Sequence, residues 1–166
     1  PHSPTPSLPP MSSLSLINPA TEDLIQAVPT DSASAIEQKA AAARRAQAAW
    51  ADTDWAERAG AIADFRDLLK QQQPELAAIL TSETGKPITQ ANSEIDATLT
   101  RIDFFIRYGA QVLAPELVHQ APIAMPGTAA LEEIISYEPL GVIANISAWN
   151  YPYFVGANVF IPALLM

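Results

Sequence analysis

Apolar residues recur at helical intervals through the middle of the chain. One stripe follows Asp54, which has Glu57 three residues later as at a helix start: Trp55, Ala59, Ile62, Phe65 and Leu69. A second, longer stripe comprises Ile88, Ala91, Ile95, Leu99, Ile102, Phe105, Ile106, Gly109 and Val112. Spacings of three and four residues place apolar side chains on one face of a helix. The pattern therefore predicts a helix from residue 55 onward and a long helix over residues 88–113.

Local signals predict where these helices and their neighbours begin and end. The Ala-rich run over residues 35–50 favours a helix by intrinsic propensity. Ser34 and Glu37 have the spacing of a capping box for it, and Asp31 is a rival cap. Pro74 predicts a first-turn proline of a further helix, and Gly85 predicts its left-handed end.

Two segments have the pattern of short antiparallel strand pairs. Residues 14–17 and 24–28 flank the turn dipeptide Asn18-Pro19. Residues 117–124 and 131–137 flank a turn-rich linker at residues 125–128. An isolated hairpin is only marginally stable, so we expect the second one to lean on another surface, in this chain or outside it.

The last part of the chain, residues 139–166, has no charged residue. The apolar run at 142–146 is typical of a central parallel strand, residues 147–150 then predict a loop, and residues 151–166 predict a helix with Pro152 in its first turn. A single-pass membrane segment at 139–166 is the alternative. Three Asn, the two Pro at 152 and 162, and the lack of flanking Lys or Arg count against it.

The order of strand, loop and helix predicts a ligand crevice. It places Ser147, Ala148, Trp149 and Asn150 at the carboxyl end of a parallel strand, where open α/β sheets bind ligands. The amide donors of a helix N-terminus would point into the same crevice. The stretch has no G-x-G-x-x-G fingerprint, so the pattern alone does not name a ligand.

Composition excludes several classes of function. The chain of 166 residues carries 18 acidic and 9 basic residues, which argues against nucleic-acid binding. It has no Cys, which rules out a thiolate nucleophile or thiolate metal site within it, and its two His are too separated to indicate zinc. We expect no metal site and no nucleic-acid partner. The first ten residues, PHSPTPSLPP, predict a disordered tail rather than a secretory signal, favour Met11 as the true start and leave a cytoplasmic location as the expectation.

Three motifs in order resemble the aldehyde dehydrogenase superfamily. These are INPATEDLI from Ile17, SETGKP from Ser82, and EPLGVIANISAWNYPYFVGANVFIPALL from Glu138. The resemblance covers residues 14–166 and implies an α/β fold, an incomplete form of that family's architecture. After the disordered tail at 1–13, it implies amino-terminal helices at 14–116 and a β-hairpin oligomerisation arm at 117–138. The first strand and helix of a Rossmann-like nucleotide-binding sheet would follow at 139–166.

The resemblance also implies an activity and site residues. Family members oxidise an aldehyde to a carboxylic acid with NAD or NADP, through a Cys nucleophile and a Glu-activated water. Asn150 matches the family's oxyanion-hole Asn, and Ile146, Ser147, Ala148 and Trp149 match the stretch that lines the cofactor cleft. A helix cap is the alternative role for Asn150, since Asn is a favoured N-cap residue. The hairpin implies a homo-oligomer.

Departures from the family pattern shape the functional expectation. The Cys nucleophile is absent, and the motifs that carry the general-base Glu and most of the cofactor site are not found. We therefore expect an amino-terminal fragment that is inactive alone. The alternative is a non-catalytic module that pairs through its hairpin with full-length subunits. Glu94 and Asp96 suit either a solvated helix face, which we favour, or a monovalent cation, and we interpret Lys86 as a structural cation at a helix end.

Overall fold

The computed structural model describes residues 13–121 and 131–166. The predicted tail at 1–13 falls almost entirely outside these residues, as does the predicted turn at 125–128. The elements in chain order are two strands, four helices, two strands and one helix: β1 Ser13–Ile17, β2 Leu24–Pro29, α1 Ala33–Ala51, α2 Trp55–Gln71, α3 Gln73–Thr84, α4 Ile88–Val112, β3 Glu116–Ala121, β4 Leu131–Ile135 and α5 Pro152–Leu165.

The first hairpin is confirmed. Strands β1 and β2 pair antiparallel, with Ser13 opposite Pro29 and Leu16 opposite Gln26. The Asn18 side chain organises the turn by accepting from the backbone amide of Ala20 at 2.9 Å. The turn of the hairpin lies against the helical part at Gly85, where an added Cβ would meet the ring of Pro19 at 3.1 Å.

The predicted helix ends are confirmed except at α1. The Asp54 carboxylate accepts from the amide of Glu57 at 2.8 Å, Pro74 lies in the first turn of α3, and Gly85 ends α3 at φ 72°. Both predicted caps of α1 are wrong. Ser32 has the extended backbone of a cap and its hydroxyl accepts from the amide of Ala35 at 3.2 Å, whereas Asp31 pairs with Lys39.

Helices α2, α3, α4 and α5 enclose the core. It contains two residues from each of α2 and α3, four from α4 and three from α5: Ile62, Leu69, Ala77, Leu80, Ala91, Ile95, Leu99, Ile102, Ala157, Ile161 and Leu165. The middle of the predicted α4 stripe is therefore buried, while its ends, Ile88 and Val112, are exposed because no described element covers them. Arg66 of α2 and Asp103 of α4 tie two of these helices together through paired hydrogen bonds of 3.0–3.1 Å.

The second hairpin is also confirmed. Strand β4 ends at Ile135, two residues before the predicted end, and residues 122–124 of the first predicted strand lie outside the described residues. Strands β3 and β4 pair antiparallel from Glu116 opposite Ile135 to Ala121 opposite Leu131. Nearly every residue of the two strands is exposed, including Leu117, Val118 and Ile134. The support that a hairpin needs is therefore not supplied by the described part of this chain.

The predicted parallel strand at 142–146 is wrong for the described residues. Both of their sheets are two-stranded hairpins, and neither contains this segment. A strand exists only through hydrogen bonds to a neighbour, and here the segment runs irregularly with Leu140 92% and Ile146 97% exposed. The helix predicted after it is confirmed as α5, with Pro152 in its first turn.

Candidate functional site

The loop before α5 carries the residue singled out as an oxyanion donor. Asn150 is exposed and makes no hydrogen bond with any described residue. The cap alternative is wrong, because Tyr151 is the residue that precedes the first turn of α5 and no side chain of the loop caps it. The Asn150 amide is therefore unengaged and open to the solvent side of the loop.

The four residues predicted at the cofactor cleft lie just before Asn150. Ile146 and Trp149 are open to solvent, with Trp149 80% exposed, and Ala148 is exposed as well. Ser147 is half-buried and its hydroxyl donates to the Asn145 side-chain oxygen at 2.9 Å. Three of the four are therefore exposed, and Ser147 is the one that turns toward the rest of the structure.

Asn145 attaches the beginning of this loop to α5, a role that the sequence pattern missed. Its side-chain amide donates to the carbonyl of Gly156 at 3.1 Å. The loop packs closely on the helix here, since a Cβ added at Gly156 would lie in van der Waals contact with the Ser147 hydroxyl, at 3.4 Å, and with the Asn145 amide nitrogen, at 3.9 Å. The loop is thus joined to the helix that follows it.

Glu94 of α4 holds the start of α5. One carboxylate oxygen accepts from the backbone amides of Tyr153 at 3.0 Å and Phe154 at 3.2 Å. These are donors that a helix leaves unpaired at its beginning, and a negative charge there is favoured by the helix dipole. The predicted use of α5 amides as ligand donors is therefore wrong for these two, because a carboxylate already occupies them.

Lys86, in the short segment between α3 and α4, completes the network. Its ammonium donates to the second carboxylate oxygen of Glu94, and both side chains are buried, with 8% and 0% exposed. The same ammonium lies 3.6 Å from the centre of the Tyr151 ring, within cation–π range. Lys86 thus links Glu94 to the residue that follows Asn150.

The solvated helix face that we favoured for Glu94 and Asp96 is wrong at Glu94. The buried partner of Glu94 is Lys86, while the exposed Asp96 accepts from Gln73 at 3.0 Å. One signal for burial was present in the sequence. Glu94 lies inside the apolar stripe, three residues after Ala91 and one before Ile95, so an inward-facing carboxylate needed a partner.

The opposite end of α5 is held with the complementary charge. Arg58 donates to the carbonyl of Leu165 at 3.1 Å, and the Trp50 indole donates to the carbonyl of Leu164 at 2.8 Å. A cation at the C-terminal carbonyls is the favourable sign for the helix dipole. An uncharged helix therefore receives its end charges from α2 and α4.

A cavity of about 250 Å³ lies beside Glu94. Its lining comes from α4 and from the start of α5: Gln90, Ser93, Glu94, Ala97, Tyr151 and Phe154. The cavity is mostly apolar, with Arg101 centred 5.6 Å from the Phe154 ring. The loop that carries Asn150 therefore borders a concave surface.

The comparisons with known proteins decide the family. Residues 9–166 match the model of the aldehyde dehydrogenase family. This chain belongs to that family. It is 31% identical over 152 residues to the 3,6-anhydro-alpha-L-galactose dehydrogenase of Streptomyces coelicolor, covering 92% of this chain and 29% of that protein.

Solved structures of family members have the same fold. The structure of succinate-semialdehyde dehydrogenase from Burkholderia pseudomallei is 30% identical with a TM-score of 0.81, covering 93% of this chain and 30% of that one. The NADP-dependent glyceraldehyde-3-phosphate dehydrogenase from Bacillus halodurans, solved with NADP, is 25% identical with a TM-score of 0.83, covering 93% of this chain and 32% of that one. The chain thus spans about a third or less of the relatives that it matches.

Tyr153, in the first turn of α5, has a phenol with a perturbed pKa near the site. Burial raises the pKa of its phenol above the ordinary value, and the carboxylates of Glu83 and Glu94 raise it further. The phenol donates to the carbonyl of Leu76 at 3.3 Å, which joins α5 to α3. Its neutral form is therefore the one that the folded state favours.

The described ranges, 13–121 and 131–166, contain neither a metal-ligand cluster nor a helix able to span a membrane. No group of three or more His, Cys, Asp or Glu lies together there as a metal site would require. Across the same ranges, none of the helices has both the length and the apolar composition to cross a bilayer, and this includes α5.

Proposed function

We propose that this chain contributes the oxyanion donor and part of the cofactor cleft of an NAD(P)-dependent aldehyde dehydrogenase. The overall reaction takes an aldehyde, water and NAD(P)⁺ to a carboxylic acid, NAD(P)H and a proton. The observation that carries the proposal is the unengaged amide of Asn150, on an exposed loop next to Tyr151, which lines the cavity, in a chain of this family.

Asn150 has the chemistry for charge stabilisation at the carbonyl. When a nucleophile adds to an aldehyde, the carbonyl oxygen becomes an alkoxide, and the Asn150 side-chain nitrogen would donate a hydrogen bond to it. A preorganised donor of this kind is worth roughly 3–4 kcal/mol in the transition state. The loop is preorganised because Asn145 and the Lys86–Glu94 pair hold it on either side of Asn150.

Ile146, Ser147, Ala148 and Trp149 would line the cofactor cleft. The bound nicotinamide would accept the hydride. The exposed backbone and apolar side chains of this stretch fit a contact with the nicotinamide–ribose part. The cofactor phosphates would not bind at the backbone amides of Tyr153 and Phe154, because both amides already donate to Glu94.

The chain does not contain the nucleophile. It has no Cys, so the thiolate of the family's reaction would come from outside these 166 residues. We therefore propose that the chain alone is inactive. Turnover of any aldehyde by the purified chain would contradict this part of the proposal.

A chimera tests the role of Asn150. The chain would replace the matching segment of the Burkholderia pseudomallei succinate-semialdehyde dehydrogenase, and oxidation of succinate semialdehyde would be followed with NAD and with NADP. We expect an active chimera, and we expect Asn150→Ala and Asn150→Asp to lower its kcat by about 100- to 1000-fold. The cofactor KM should stay within about twofold, since the lost interaction forms only in the transition state.

Gln111→Ala is the control, because it removes an exposed side-chain amide from α4, away from the loop. It should leave kcat within about twofold. An active chimera that tolerates Asn150→Ala would show that Asn150 is not the donor. A folded but inactive chimera would show that this segment does not supply the family's function.

The exposed second hairpin favours a second candidate function. Strands β3 and β4 present Leu117, Val118, Leu131, Ile134 and Ile135 to solvent, and their outer edges are unpaired within the described residues. Such edges add strands from another chain. The hairpin would join copies of this chain as a homo-oligomer, or join the chain to full-length family members, in the cytoplasm.

Co-expression with the full-length Burkholderia enzyme tests this pairing. The tagged chain should retain the enzyme on affinity resin, and Ile134→Lys should abolish retention because it places a charge on the apolar surface. Glu132→Lys, a charge change on the same strand, is the control and should retain it. A monodisperse, monomeric chain that does not retain the enzyme would contradict the pairing.

A further inference from the structure

We propose that Glu94, held by Lys86, is the positioning residue that sets where Asn150 sits. The inference rests on the proposed role of Asn150. It concerns the buried ion pair between Lys86, which lies between α3 and α4, and Glu94 of α4. This pair contacts two backbone amides of α5 and the ring of Tyr151.

The start of α5 depends on a distant carboxylate. The residue before its first turn, Tyr151, supplies no side-chain cap, and the helix has no acidic residue in its first turn. The amides of Tyr153 and Phe154 instead share one oxygen of Glu94, which lies about sixty positions earlier in the chain. Hydrogen bonds to a charged acceptor are the stronger kind, so this contact orients the first turn of α5.

Lys86 transmits the same constraint to the loop. Its ammonium bonds the other oxygen of Glu94 and faces the Tyr151 ring, which adjoins Asn150 in the chain. On the other side of Asn150, the loop is anchored by Asn145 on the carbonyl of Gly156. Residues 148–150, between these two contacts, are exposed. The position of the Asn150 amide therefore depends on the contacts on either side of it.

The remainder of α5 does not need Glu94. Its buried face packs through Ala157, Ile161 and Leu165, and Arg58 and Trp50 hold its last carbonyls. Loss of Glu94 should therefore displace the first turn and the loop while leaving the helix in place. A small displacement is enough, because a misplacement of about 1 Å can cost about 100-fold in rate.

Backbone amide NMR of the 166-residue chain tests the contact itself. In Glu94→Ala, the proton resonances of Tyr153 and Phe154 should move upfield and their exchange with solvent should accelerate by about tenfold or more. Glu94→Gln keeps an acceptor oxygen and should give smaller changes. The Ile161 amide reports global unfolding, which Glu94→Ala also favours because it leaves Lys86 buried without its partner. The contact is therefore judged by the acceleration at Tyr153 and Phe154 beyond that at Ile161.

Asp96→Asn is the matched control, since it removes the same charge from the exposed face of the same helix. Its Tyr153 and Phe154 resonances should match those of the parent. Unchanged Tyr153 and Phe154 amides in Glu94→Ala would overturn the inference, whatever Asn150 does.

The chimera then tests the consequence for the reaction. Glu94→Ala should lower kcat by about 100-fold with the cofactor KM within about twofold, Glu94→Gln should recover part of kcat, and Asp96→Asn should leave it unchanged. If Asn150→Ala leaves kcat unchanged, the proposed function is wrong, and the NMR result still shows whether Glu94 accepts from the two amides. If Asn150→Ala lowers kcat and Glu94→Ala shifts the amides without lowering kcat, the positioning role fails alone.

Discussion

Helix α5 and the segment at 139–150 before it share a composition and have opposite environments. Neither contains a charged residue, and both are mainly apolar. Yet α5 buries Ala157, Ile161 and Leu165 and has both ends held by α2 and α4, whereas Leu140 and Ile146 lie open. A helix satisfies its own interior backbone and needs partners only at its ends, while an extended segment needs a partner along its whole length. Availability of partners, rather than apolar composition, decides which region is buried.

Removal of the buried Lys86 ammonium, which helps to hold the start of α5, should have the largest effect on the free energy of unfolding. Lys86→Met leaves the Glu94 carboxylate buried without its partner, which should lower the free energy of unfolding by about 3–5 kcal/mol. Urea unfolding of the chain would measure it. The double variant Lys86→Met/Glu94→Gln should recover part of the loss because no charge then remains buried.

Lys39→Met is the matched control for that prediction. Lys39 also pairs with a carboxylate, that of Asp31, but both side chains are largely exposed, at 70% and 44%. Its removal should cost about 0–1 kcal/mol. Equal losses for Lys86→Met and Lys39→Met would show that the Glu94 pair is not buried in solution.

Truncation of one Ile in each region tests the contrast directly. Ile161→Ala removes a fully buried side chain of α5 and should lower the free energy of unfolding by about 2–5 kcal/mol. Ile146→Ala removes an exposed side chain of the same type and should change it by no more than about 0.5 kcal/mol. A large loss in Ile146→Ala would mean that the segment is packed in solution, contrary to the structure.

Substitution of two helical glycines tests how closely the helices pack near the C-terminal end of α5. A Cβ on Gly109 of α4 would overlap the Trp55 ring, next to Leu165, so Gly109→Ala should destabilise the chain by about 1–3 kcal/mol. Gly60→Ala meets open space on α2 and should stabilise it by about 0.5–1 kcal/mol through helix propensity. Thermal unfolding followed by circular dichroism would measure both, and a stabilising Gly109→Ala would contradict this packing.

The smallest expected effect is a pH dependence at Tyr153. Its pKa is raised in the folded state, so the neutral phenol stabilises the fold at pH below the unfolded value of about 10. That contribution is lost as the pH rises through the folded pKa. Stability should therefore fall more steeply above pH 10 in the parent than in Tyr153→Phe, with the exposed Tyr137→Phe as the control. Parallel stability curves for the parent and Tyr153→Phe would contradict the assignment.

Prediction from the sequence succeeded where the signal was local. Asp54, Pro74 and Gly85 mark helix ends because their own backbone and side-chain chemistry does so, and the α4 stripe marked its buried middle by periodicity alone. It was wrong at Ser32, because three nearby polar residues offered similar caps and the backbone geometry selected one. It was wrong at the 142–146 strand, because strand formation depends on a neighbour and not on the apolar run itself.

The candidate site divides in the same way. The order of motifs pointed to the loop at 146–150, and these residues do form a loop ahead of α5 that is exposed except at Ser147. No local pattern pointed to Asn145 as an anchor or to Lys86 as the partner of Glu94. These contacts join residues 8 to 60 positions apart in the chain, so only the packing of α3, α4 and α5 could reveal them.

The sequence by itself determined the helices, their Pro and Gly ends, the two hairpins and the family motifs, because each depends on neighbouring residues in the chain. The tertiary structure decided which apolar stretch is covered and how the charges are used. It places the carboxylate of Glu94 at the start of α5 and the guanidinium of Arg58 at its end. The physical reason is that burial and ion pairing need surfaces from several elements at once, and an uncharged helix obtains its end charges only from the helices packed around it.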